Sequence, residues 1–80
     1  MLHISVISPE ATLYEGEAPS VVAPAFDGEV GILTGHAPMV TVLGTGTLRI
    51  GGGPSFTVDG GFLQVVDNQV RVVTERAAKA

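Results

Sequence analysis

The sequence predicts an all-β protein, an antiparallel sandwich or a flattened barrel. Three observations predict it. Apolar and polar residues alternate with period two through much of the 80-residue chain, as in half-buried strands. Glycine and proline turn signals recur at short intervals between those stretches. Only Glu75–Ala80 has a helix-forming composition.

Each element follows from a local pattern. Leu2, Ile4 and Val6 alternate with His3 and Ser5, predicting a first strand with one face inward. Val21-Val22-Ala23 and Met39-Val40-Thr41-Val42-Leu43 are short apolar runs, predicted as strands covered on both faces. Leu48 and Ile50 flank Arg49, and Phe56 and Val58 flank Thr57. Phe62–Val66 and Val70–Thr74 are joined by Asp67-Asn68. Both turn residues tolerate the positive φ that a tight primed hairpin demands. The remaining turn signals are Ser8-Pro9, Glu15-Gly16, Asp27-Gly28, Gly44-Thr45-Gly46, Gly51-Gly52-Gly53-Pro54 and Gly60-Gly61. Glu75-Arg76-Ala77-Ala78-Lys79-Ala80 is too short for an independent helix and is read as a helix stub or a frayed tail.

Composition bounds the function. Eighty residues make one domain of modest stability. Hydrophobic residues make up 45% and charged residues 15%, below the roughly 25% usual for a soluble domain. That deficit points to a surface covered in the working state. With no cysteine, neither a disulfide nor a thiolate metal site is available. Net charge is −4, with Arg49, Arg71, Arg76 and Lys79 as the basic residues, too few for a nucleic-acid face. No apolar run is long enough to cross a bilayer and no signal peptide is visible, so the chain is expected in, or facing, the cytosol.

Catalytic constellations are absent from the pattern. His3 and His36, read as lying on different strands, are the only imidazoles, and no metal or cofactor site is expected. Ser5, Ser8, Ser20 and Ser55 lack a nucleophile-elbow context. Gly51–Pro54 lacks the Lys-Ser/Thr of a phosphate loop and is read as a hairpin tip. Asp27 and Glu29 are placed on a turn open to water.

The segment Gly28-Glu29-Val30-Gly31-Ile32-Leu33-Thr34-Gly35-His36-Ala37-Pro38 stands apart. Three glycines permit positive φ or close approach of a neighbour. Pro38 fixes its own φ and extends Ala37. A segment so constrained presents surface more often than it fills a core. On physical grounds Glu29 reads either as a solvated turn acid or as a contact to a basic or amide group of a partner. His36, between Gly35 and Ala37, reads similarly.

That segment resembles the Gly-Glu-Leu-Gly-Ile-x-Pro-Gly-His-Ala-Pro signature of the ε-subunit family of bacterial and chloroplast F-type ATP synthases. Ile4–Glu10, Leu13–Glu17, Gly60–Val65 and Val70–Thr74 resemble further stretches of the same family in register. The resemblance implies a sandwich of two antiparallel sheets of about five strands each over residues 1–75. Residues 76–80 would be the stub of the family's C-terminal helical hairpin. It also implies a non-catalytic role in the rotating central stalk, joining the γ subunit to the cytoplasmic loops of the membrane c-ring. The expected location is the cytoplasmic face of the bacterial membrane, or the stromal face of a thylakoid, without membrane insertion. Carried over by position, Glu29, Val30 and Gly31 fall at the c-ring contact, His36 near γ and the c-ring, and Met39 in the same region. Thr34 stands where the family pattern has proline, leaving that turn one constraint short. Without the hairpin, the chain is expected neither to bind ATP nor to restrain hydrolysis. The competing readings are a free-standing sandwich that binds a peptide or carbohydrate and, more remotely, a small hydrolase.

Overall fold

The computed structural model describes residues 1–80. Ten strands run β1 (Leu2–Ile7), β2 (Thr12–Ala18), β3 (Ser20–Ala25), β4 (Gly28–Leu33), β5 (Met39–Val42), β6 (Thr45–Ile50), β7 (Ser55–Asp59), β8 (Phe62–Val66), β9 (Gln69–Val73) and β10 (Arg76–Lys79). They form two open five-stranded sheets. The first has the order β2-β1-β9-β8-β5 and the second β10-β7-β6-β3-β4.

Alternation decides which face each strand buries. Leu2, Ile4 and Val6 of β1 are buried, as are Val70 and Val72 of β9 and Leu63 and Val65 of β8. Across the interlayer they meet Val21, Ala23, Ile32, Leu48, Ile50, Phe56 and Val58 of the second sheet. Burying a leucine side chain such as Leu63 contributes about 2 kcal/mol. Tyr14 crosses edge-to-face with Phe56, ring centroids 6.3 Å apart, at the margin of this core. The two buried hydroxyls are satisfied: Thr74 Oγ1 donates to the Arg76 carbonyl at 2.8 Å and Ser8 Oγ to the Ala11 carbonyl at 3.2 Å.

Turn chemistry sets the register. Asp67 and Asn68 have φ of 49° and 62°, the paired positive values of a primed hairpin turn. Gly61, between β7 and β8, has φ of 108°, and a β-carbon there would collide with the Val73 carbonyl. Only glycine fits that position.

Several expectations are corrected. Glu75–Ala80 is not the stub of a helix: Arg76–Lys79 pairs antiparallel with β7, Ala77 opposite Val58. Helix propensity yields there because β7 offers a bare edge of main-chain donors and acceptors. The run Met39–Leu43 is not covered on both faces. Strand β5 is an edge strand whose Val40 and Val42 side chains stand 68% and 57% exposed. Glu15-Gly16 is not a turn but lies inside β2. The first sheet is not wholly antiparallel, since β1 and β9 run parallel, His3 opposite Gln69 through Ile7 opposite Val73. The remaining pairs are antiparallel.

Candidate partner-binding surface

Strand β4 is the free edge of the second sheet and carries most of the sequence-predicted site. Its alternation sends Val30 and Ile32 inward and leaves Glu29, Gly31 and Leu33 on the outer face. Glu29 therefore lies on a strand rather than a turn. It is not a lone carboxylate either. Arg49, on β6, places Nη2 3.3 Å from Glu29 Oε2 and 3.5 Å from Oε1. Val30 packs its side chain against the core, so it offers a partner only its edge-strand main chain.

Gly31 is informative by elimination. Of the eleven glycines, five adopt positive φ, and five more would bring a β-carbon within 3.1 Å of a neighbouring atom. Gly31 does neither; a β-carbon there meets nothing within 4 Å. Nothing inside the domain requires this glycine. A close approach from outside would require it.

His36 lies in the loop between β4 and β5, not on a strand. Its main-chain N–H donates to the Leu33 carbonyl at 3.1 Å, and its Nδ1 donates to the Ala37 carbonyl at 2.7 Å. The carbonyl can only accept, so Nδ1 carries the proton and Nε2 is left as the acceptor nitrogen. Met39 opens β5 opposite Val65 and packs against the core. The five residues do not converge. Glu29 sits near the start of β4 and His36 beyond its end. The two are separated by at least about 13 Å of strand, at about 3.3 Å per residue. His3, on β1, bonds Glu15 at 3.2 Å.

Sequence reasoning missed an apolar row on the surface. Val42 is opposite Phe62, Phe62 opposite Val73 and Val73 opposite Ile7, an apolar row across four strands on the outer face of the first sheet. Phe26 joins it from the β3–β4 turn, where its N–H donates to the Val42 carbonyl at 3.0 Å. Phe26 is 69% exposed, and Val40 extends the patch along β5. The available signal was the Val40–Thr41–Val42 alternation, which placed two valines on one face with nothing to cover them. Contiguous exposed apolar surface of this kind is a candidate docking site. The concavity elsewhere on the same face, about 290 Å³, is lined by Gln64, Val66, Asp67, Gln69 and Arg71. Without an aromatic platform, it is a poor fit to a carbohydrate or an apolar peptide anchor.

Two open sheets packed face to face, with an apolar row left outside, define a β-sandwich domain. Comparison with known proteins makes this particular. The family described as "ATP synthase, Delta/Epsilon chain, beta-sandwich domain" matches residues 1–80, and the chain belongs to it. The chain is 48% identical over 80 residues to the ATP synthase epsilon chain of Leptospira borgpetersenii, covering 96% of this chain and 63% of that protein. It is 48% identical over 75 residues to the epsilon chain of Rhodopirellula baltica, covering 90% of this chain and 59% of that one. It thus spans less than two thirds of these relatives. The same fold occurs in the cryo-EM structure of the Euglena gracilis mitochondrial ATP synthase OSCP/F1/c-ring. The TM-score is 0.89 at 24% identity, covering 98% of this chain and 52% of that one. It occurs again in the Tetrahymena thermophila mitochondrial ATP synthase central stalk/c-ring, with a TM-score of 0.81 at 17% identity, covering 96% of this chain and 65% of that one.

Proposed function

We propose that this domain works as the β-sandwich of an ATP synthase epsilon subunit, a non-catalytic part of the rotor that joins γ to the c-ring loops. In that role it transmits torque between proton flow and ATP synthesis. The exposed apolar row Phe26–Val42–Phe62 carries the reading, because a charge-poor domain with such a patch gains stability when a partner covers it. We assign that row, with Met39 beneath it and His36 beyond the end of β4, to γ. The outer edge of β4, with Glu29, the Val30 main chain and Gly31, is assigned to the c-ring loops. No helix here is long and apolar enough to cross a membrane. In this reading, attachment at the cytoplasmic face of the membrane comes through the partners. A sandwich held by interlocked β-branched side chains is stiff, as a torque-bearing contact requires.

The test is co-purification with γ. The domain is expected to hold γ at micromolar concentration across an interface of more than about 1,000 Å². A domain that elutes apart from γ overturns the reading.

A further inference from the structure

We infer that Arg49 belongs to the same partner contact, as the residue that positions the Glu29 carboxylate, and that the group received there is dipolar. A main-chain peptide or a carboxamide fits; a lone cation does not. The inference rests on the assignment of the β4 edge to a partner.

The geometry is a diagonal across β3. Arg49 is opposite Val22, and Val22 is opposite Gly31. Glu29 is opposite Pro24, two residues along. The guanidinium thus reaches across β3, past Val22 and Pro24, to a carboxylate two strands away. It does so through a single nitrogen, Nη2, shared between the two oxygens at 3.3 and 3.5 Å. A fork of two parallel bonds would consume more of both groups. Here the remaining N–H groups of Arg49 and the remaining lone pairs of Glu29 stay free. Both side chains are about half exposed, at 50% and 57%.

A cation approaching Glu29 meets the Arg49 charge beside it, and an anion approaching Arg49 meets Glu29. A group that donates to one and accepts from the other matches both. Gly31 completes the arrangement. Along the outer edge the sequence of side chains is Glu29, none, Leu33. The gap lets another main chain lie against β4 beside the pair, where a side chain would hold it off. An exposed pair of this kind contributes little to folding, so its partner role is separable from stability.

The experiment titrates the fluorescently labelled chain with γ bound to an isolated c-ring, and with γ alone. Arg49→Gln is expected to weaken binding to the γ–c-ring assembly about tenfold, as loss of a partly desolvated charge partner does. Its melting temperature and its affinity for γ alone stay at the wild-type values. Glu29→Arg and Arg49→Glu each weaken it further, and the exchanged pair Glu29→Arg with Arg49→Glu recovers most of the loss. Wild-type affinity in Arg49→Gln overturns the inference while leaving the docking assignment standing. Tighter binding in Arg49→Gln also overturns it, because Arg49 would then be competing with a cation. A wild-type chain that ignores the assembly overturns both.

Discussion

The side-chain oxygen of Asn68 accepts a hydrogen bond from the main-chain N–H of Gly35 at 2.6 Å. One residue of the β8–β9 turn thereby holds the loop that carries His36. The same residue's main-chain carbonyl accepts from the His3 N–H at 2.8 Å. Asn68 thus ties three segments distant in sequence.

Asn68→Gly keeps the positive φ and removes only the side-chain bond. The expected loss is about 1 kcal/mol. Amide exchange at Gly35 and His36 should accelerate while the core amides stay protected. Asn68→Ala adds left-handed strain of about 1 kcal/mol on top. Equal exchange rates at Gly35 in wild type and Asn68→Gly would remove Asn68 as the anchor.

Gly31 and Gly35 should separate function from folding. Gly31→Val places a strand-favouring side chain in open space, so stability stays within about 0.5 kcal/mol of wild type or rises. Partner binding falls. Gly35, at φ of 86°, loses about 1–2 kcal/mol on change to valine. Chemical denaturation of the two variants checks the stabilities, and co-purification with the stalk assembly checks the binding. A destabilised Gly31→Val would mean that the domain itself needs the glycine.

Val42→Lys puts a charge into the apolar row between Phe26 and Phe62, on an edge strand. Lysine is tolerated there by the isolated domain, within about 0.5 kcal/mol. Affinity for γ should drop by more than about tenfold. Unchanged retention of γ by this variant would move the docking site off the first sheet.

Leu63→Ala opens a void between the sheets. Leu63 is fully buried, and a loss of about 3 kcal/mol is expected. Against a total on the order of 5–15 kcal/mol, that is a large share. Urea denaturation should show a lower midpoint with an unchanged slope.

Much of the fold could be read from local pattern, and the parts that could not were non-local. Alternation at Leu2–Val6, Phe56–Val58 and Val70–Val72 named the inward faces correctly. Asp67-Asn68 gave its turn because backbone strain there is a one-residue property. The strand at Arg76–Lys79 was hidden because alanine and arginine favour helix until an unpaired edge competes for their main chain. Gly16 looked like a turn. It is instead a strand residue kept small because the Tyr14 hydroxyl lies 2.9 Å from where its β-carbon would be. The Arg49–Glu29 pair spans two strands of one sheet, and no local spacing predicts it. Nor does periodicity carry strand direction, so the parallel pairing of β1 with β9 was invisible.

That pairing also governs how the molecule is made. On the ribosome β1 emerges before the seven strands that separate it from its inner neighbour β9. The leading hairpin must therefore wait with one flank open until β9 has cleared the exit tunnel. Closure of this sheet is a late event, and the waiting flank is where a chaperone, or a second nascent chain, would attach first.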